Sequence, residues 1–218
     1  MKAHLRWTDE LIGTTAGRLP ALVLCLLLAF VASTGDARGQ DARDVQMLLS
    51  TAEALVEVFP NAAAYRVHEF TPTAAQRQGL EQTLARRLFE PRYAWMVVYD
   101  AADRLQGYAL VTDERGKYRP ITFMVGITPD FRVADAAVMV YRESRGGEVQ
   151  RERFLAQYRG RTLRDPIQIN RDIINISGAT ISVRSMNAGV RKALAVAQVA
   201  FAGGAPTTGA VRPLAALR

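Results

Sequence analysis

The chain has 218 residues, 49% apolar and 22% charged, a globular composition with room for one leader and one ordinary domain. Lys and Arg number 28 against 21 Asp and Glu, a net charge of +7, and only 3 of those cations are lysine. With Cys25 the one cysteine and His68 the one histidine after it, residues beyond 25 cannot form disulfides, thiolate-held clusters, a CxxCH haem attachment or a cysteine nucleophile, and a zinc site or Ser-His-Asp triad would rest on His68 alone.

Residues 19–33, LPALVLCLLLAFVAS, form an apolar run preceded by Arg6 and Arg18 and followed by STGDARGQDA. A positive segment, an apolar stretch and a small polar exit are the parts of a secretory signal. The run is short for a membrane span, which needs about 20 residues. A cleaved signal and a retained N-terminal membrane anchor over 1–39 are the two main readings, with a buried core helix as the third. Both main readings put the rest of the chain in the periplasm or on the extracytoplasmic face of the membrane. Cys25 lacks a lipoprotein pattern, because Leu24 precedes it. Beyond residue 39 the balance is still basic, 24 cations against 18 anions, but the arginines are scattered among carboxylates. They read as solvated surface, and nucleic acid is not an expected partner.

Residues 40–92 read as an N-terminal helical part. Val45, Leu48, Leu49, Leu55 and Val58 share a helical face over 41–58, and Phe59-Pro60-Asn61 ends it. Residues 65–70 form a short strand candidate. Thr71-Pro72-Thr73 opens a helix over 73–89 with Leu80, Leu84 and Leu88 in one row. From Tyr93 the period changes. Residues 93–99 and 105–112 read as one hairpin, and 121–128 and 133–141 as another around Pro129-Asp130. An α+β domain is expected over 93–202: an antiparallel sheet of about four strands, packed helices and a long C-terminal helix. Gly146-Gly147 breaks the pattern, 148–158 looks helical and 159–175 irregular. A strong helix then runs over about 180–201, with Met186, Val190, Leu194 and Ala197 in its core stripe. Residues 203–218 read as a flexible tail.

The segment with chemical potential is Asn175-Ile176-Ser177-Gly178-Ala179-Thr180-Ile181-Ser182, leading into that helix. A helix N-terminus presents unpaired N–H groups and partial positive charge, which suits a phosphate. Gly178 lets a ligand approach the backbone, and Ser177, Thr180 and Ser182 add hydroxyls. An ordinary Ser/Thr N-cap would use the same residue types.

Ser177-Gly-Ala-Thr180 before a helix resembles the flavin-attachment motif of the FMN-binding domain family. That family includes the small flavin-carrying subunits of the Rnf complex and of the sodium-pumping NADH:quinone oxidoreductase. Tyr141-Arg-Glu-Ser-Arg-Gly-Gly-Glu148 is similar to the family's Glu-Thr/Ser-x-Gly loop after a strand. The likeness covers residues 93–200. It implies an exported electron-transfer flavoprotein with FMN joined to Thr180 through a phosphoester. A flavin transferase would make the bond, and the redox partners would be membrane-bound or periplasmic. Ser177, Gly178 and Ala179 would form the turn on the phosphate side, with Ile181 and Ser182 just inside the helix. Glu143 and Ser144 would lie beside the isoalloxazine or ribityl chain. Arg145 and Arg184 are candidates to favour the reduced flavin, and Trp95, Tyr99, Tyr108 and Tyr141 are candidates to stack on it, although aromatic strand residues are usually core.

One departure stands out. The transferase motif carries an acid six residues before the threonine, where this chain has Ile174; the nearest carboxylate is Asp172. A flavin-dependent reductase with its own small substrate, and a flavin-free interaction module of the same fold, are the other functional readings.

Overall fold

The computed structural model describes residues 45–217. The leader and membrane association expected from 1–39 lie outside the described residues. Within the described residues no helix is long and apolar enough to cross a membrane.

Among the described residues, seven strands form one sheet, not about four. They are β1 (Gln46–Met47), β2 (Ala64–Phe70), β3 (Tyr93–Tyr99), β4 (Leu105–Arg115), β5 (Pro120–Ile127), β6 (Val133–Tyr141) and β7 (Val211–Pro213). The spatial order is β1-β6-β5-β4-β3-β2-β7, antiparallel throughout. The central strands follow the expected pattern of aromatic and β-branched residues. The three additional members are β2 and two short edge strands, whose pairing depends on distant partners rather than on local pattern. β7 and the 3₁₀ turn Leu214–Leu217 lie within the segment expected to be a flexible tail: β7 pairs with β2, and Leu214 and Leu217 pack on the core.

Strand alternation sends side chains to two cores. On one face Trp95, Val97, Tyr108, Leu110, Phe123 and Val125 meet the last helix. On the other, Met96, Val98, Ala109, Met124 and Ala137 meet the first. That first helix, α1 (Thr51–Val58), starts ten residues later than the sequence suggests. Ser50 accepts from Glu53 N, and Glu53 accepts from Ser50 N, a reciprocal cap that fixes the start. The preceding residues pair with β6 instead.

α2 (Ala74–Leu84) has the same device in Thr73 and Gln76, and stops at Ala85, which adopts φ 51°. Leu88 is buried although it lies beyond the helix. The expected helix over 148–158 is broken into a 3₁₀ turn Gly147–Gln150, the short α3 (Glu152–Leu155) and a second 3₁₀ turn Ala156–Tyr158; the extended backbone of Arg151 (ψ 136°) separates the first two.

The long helix is α4 (Thr180–Ala200). It lies close to β5 at Gly189, where a Cβ would sit 2.3 Å from Phe123 Cζ. Its far end places Phe201 flat on Tyr108, centroids 3.8 Å apart, and edge-on to Trp95. Buried Lys192 on α4 pairs with Glu90 and Glu114, and Arg86 grips Glu114 through two nitrogens, at 2.7 and 2.8 Å. These contacts fix α4, and hence its first residue, Thr180, against the sheet.

Candidate functional site

Three segments meet where α4 begins. The first is the β4–β5 turn, residues 116–119. The second is the loop after β6, residues 142–146. The third is the Ser177–Ser182 turn and first helical residues. Each is tied to its neighbours by hydrogen bonds that use side chains.

Glu143 holds the first segment to the second. Its buried Oε1 accepts from Tyr118 N at 2.6 Å and Arg119 N at 2.9 Å. Gly116 closes the same turn through Arg119 O, and a Cβ there would lie 2.5 Å from Glu143 Oε1. The carboxylate expected beside the flavin therefore has a determinate structural job: it holds the turn that forms one wall.

Tyr141 joins the second segment to the third. Its phenol donates to Arg145 O at 2.6 Å and lies 2.9 Å from Ser182 Oγ. One phenol has one proton, so the serine hydroxyl donates to Tyr141 Oη. Burial raises the Tyr141 pKa, with the charges of Glu143 and Glu148 adding to it and the Ser182 bond opposing, and the group stays a neutral donor. Gly146 permits the junction. It has φ +85°, and a Cβ there would be 2.8 Å from Ser182 Oγ. Ser185 Oγ ties α4 to the end of β4, just before the first segment, by donating to Arg115 O at 2.6 Å.

The start of α4 has no side-chain cap. Ala179 occupies the cap position, and neither Ser177 nor Thr180 bonds back to the helix N–H groups. The first N–H groups of a helix have no partner within it, so this end keeps its donors and its partial positive charge. Gly178 adopts φ +79°, and a Cβ there would meet nothing within 4 Å. Its glycine serves the left-handed turn and leaves the space beside it open. Thr180 Oγ1 accepts from Asn175 Nδ2 at 3.0 Å.

Between the segments lies a cavity of about 510 Å³. Lys117 and Tyr118 line it from the turn, Glu143, Ser144 and Arg145 from the loop, and Gly178, Ala179, Thr180, Ile181 and Ser182 from the start of α4. Of the eight residues expected from the two motifs, only Ser177 lies off this wall. It borders a neighbouring cavity with Ile174, Asn175 and Ile176. Arg184 is exposed and does not line the cavity. Trp95, Tyr108 and Tyr141 are buried in the core, and Tyr99 bonds to Arg66, so none of the four aromatic candidates reaches the cavity.

Lys117 and Tyr118 lie outside both sequence motifs, and Asn175, which opens the segment leading into the helix, has its partner in Thr180. The hairpin that brings 117 and 118 to the site depends on β4 extending to Arg115, beyond the strand signal at Thr112. Gly116 between two strands was the available clue.

Ile174 stands where the resemblance calls for an acid, and Glu148 borders the same neighbouring cavity. Ile174 is 75% exposed. Asp172 accepts from Ile167 N and Gln168 N, at 2.9 and 2.8 Å, and is occupied in closing its own loop.

A larger cavity, about 910 Å³, lies near the other end of α4 and is bordered by Arg132, Arg159, Arg161 and Gln198. Arg132, Arg159 and Arg161 are engaged by Asp130, Asp135, Glu152, Asp165 and Asp172, while Arg164 lines the same space without an ion pair among the described residues. The smaller cavity has the free helix end and an acceptor hydroxyl, so the chemistry favours it over the larger space. Among the described residues no cluster of His, Cys, Asp or Glu could hold a metal ion.

The site fits a flavin nucleotide. The volume is in the range of small-molecule pockets, the uncapped helix end and the cations Lys117 and Arg145 suit a phosphate, and Thr180 places a hydroxyl on the same wall.

Residues 116–195 match the profile of the FMN-binding domain family. The matched stretch begins at the glycine of the β4–β5 turn, contains all three cavity segments and ends within α4. No curated protein sequence matches the chain. Among solved structures, the crystal structure of Shewanella oneidensis NqrC is 18% identical over 71% of this chain and 80% of that one, with a TM-score of 0.39.

Proposed function

With an FMN-binding domain over residues 116–195 as the premise, we propose that this chain is an exported electron carrier whose FMN is esterified to Thr180. The observation that carries the proposal is the position of Thr180 Oγ1. It lies on the cavity wall at an uncapped helix end, held by Asn175.

FMN in this cavity supplies the one- and two-electron chemistry that the amino-acid side chains lack. The chain supplies position and charge. The N–H groups at the start of α4 and the side chains of Lys117 and Arg145 favour negative charge in the cavity. Glu143 holds the 116–119 wall, and Tyr141 fixes the distance between the other two segments. Glu143 is the one carboxylate among the described lining residues and is committed to backbone N–H groups. That supports electron transfer over proton chemistry on a substrate of its own.

Export gives the tether a reason. Flavin nucleotides are made inside the cell, and a dissociated cofactor outside it is lost by dilution. A covalent bond keeps its local concentration permanently high. A flavin transferase would install it, and membrane-bound or periplasmic proteins would exchange its electrons. The apolar run at 19–33 supports this location. A compartment-sensitive reporter fused after residue 45 should be active only on the outer side of the membrane; activity in the cytoplasm would refute export.

The exposed Ile174 and the occupied Asp172 favour a second reading, in which FMN sits in the same cavity without a bond to the chain. Co-expression with a flavin transferase separates the two. Tethering predicts a yellow protein that keeps its colour after denaturation and gains the mass of FMN less water. Colour lost on denaturation supports the second reading, and a colourless protein under both conditions refutes both.

A further inference from the structure

We propose that Tyr118 is the side chain that covers the flavin ring, packing its phenol against the isoalloxazine of FMN bound in this cavity. The inference rests on the cavity reading above and adds a residue that neither sequence motif contains. Among the described residues lining the cavity, Tyr118 is the one aromatic. It is 74% exposed. An exposed aromatic on a mobile loop would mean little, but this one has a fixed backbone, because Tyr118 N donates to Glu143 Oε1 at 2.6 Å. The turn thus holds in place a large ring that the protein does not bury.

The surroundings point to a flat, electron-poor partner. Lys117 Nζ lies 4.8 Å from the ring centroid, over one face of the phenol. The other face can take a second ring in offset stacking. The start of α4 adds Ile181, 43% exposed, and the unobstructed Gly178 to the same cavity. A tricyclic ring held in this space would cover apolar surface on Tyr118 and Ile181 together. Oxidised isoalloxazine accepts electron density and phenol donates it, so stacking is favourable, and the phenol quenches flavin emission on contact.

The test uses the full chain matured with a flavin transferase, in three forms: wild type, Tyr118→Phe and Tyr118→Ala. Because the side chain is exposed and the Glu143 bond uses the backbone, the fold should survive both changes. Flavin content is fixed by mass and absorbance, and emission is then compared per mole of bound flavin. Wild type should be strongly quenched. Tyr118→Ala should be several-fold brighter, with altered visible circular dichroism. Tyr118→Phe should also be brighter, because phenylalanine is a poor electron donor, while keeping dichroism close to wild type. Equal emission and dichroism in all three, at equal flavin content, would overturn the role of Tyr118 and leave the cavity reading intact. A wild-type protein without flavin would overturn the cavity reading and this inference with it.

Discussion

Asn175 Nδ2 donates a hydrogen bond to Thr180 Oγ1 at 3.0 Å, across the turn that starts α4. The bond starts one residue after Ile174, the position from which the motif's acid is missing. Ile174 turns outward to solvent, while its neighbour reaches the acceptor hydroxyl. Asn175 Oδ1 is buried and has no partner, so the amide is held at this site at some cost to the fold. Asn175→Ala should lose little stability, about 1 kcal/mol for one hydrogen bond. It should lower the fraction of chains that carry flavin, as measured by intact mass after co-expression. Full occupancy in the variant would show that the bond does not position Thr180.

The Glu143 carboxylate is a wall support in this fold, and its variants should behave accordingly. Glu143→Ala leaves Tyr118 N and Arg119 N without their acceptor. A hydrogen bond to a charged group is worth about 1.5–3 kcal/mol, so a loss of that order is expected in urea unfolding. Glu143→Gln keeps a carbonyl oxygen that can accept both bonds and should lose less than half as much. Equal losses for the two variants would mean that charge, and not acceptor geometry, holds the turn.

Lys192 is 1% exposed and sits between Glu90 and Glu114. Removing one member of a buried ionic cluster strands the others, which costs about 3–5 kcal/mol. Lys192→Met should therefore be strongly destabilising at neutral pH. The cluster also sets an acid limit. Burial pushes the Glu90 carboxyl up, but the hydrogen bond and charge of Lys192, with Arg86 behind them, outweigh burial and leave it below its ordinary value. A depressed folded-state value adds stability that is complete above the unfolded value, about 4.3. That stability is lost as pH falls through the folded value. Thermal unfolding should show it fading below about pH 4.3, and the Glu90 share should vanish in Lys192→Met.

Gly189 illustrates packing overriding helix propensity. In an exposed helix interior, Gly→Ala gains about 1 kcal/mol. Here the added methyl would approach Phe123 Cζ at 2.3 Å and Glu114 Cγ at 2.9 Å. Gly189→Ala should therefore destabilise by about 1–3 kcal/mol, the usual cost of overfilling a core. A gain in melting temperature would show that α4 can lift off β5 without penalty.

The parts of the fold visible in the sequence were those whose pattern is local. Residues 93–99 and 133–141 alternate or run apolar over their full lengths, and their strands match. α4 carries an apolar stripe over five turns and begins at Thr180 as expected. The edge strands were hidden, because Gln46–Met47 and Val211–Pro213 are short, exposed and defined by remote partners. A continuous apolar period also hid the start of α1, where the Ser50–Glu53 cap overrides it. At the site, two of the three segments were legible through their motifs. The third, with Lys117 and Tyr118, comes from a hairpin whose strand outlasts its hydrophobic signal. The motif marks Glu143 but not its contact, since nothing local in 142–146 indicates that it caps a turn 24 residues earlier.

The central claim is chemical and has one direct measurement. Trypsin cuts after Arg171 and Arg184, releasing residues 172–184, whose hydroxyls are Ser177, Thr180 and Ser182. The chain should be purified from its own source with its maturation machinery intact, and this peptide fragmented in a mass spectrometer. The account predicts a peptide heavier by FMN less water, with the added mass on Thr180. An unmodified peptide, or the adduct on Ser177 or Ser182, would contradict it.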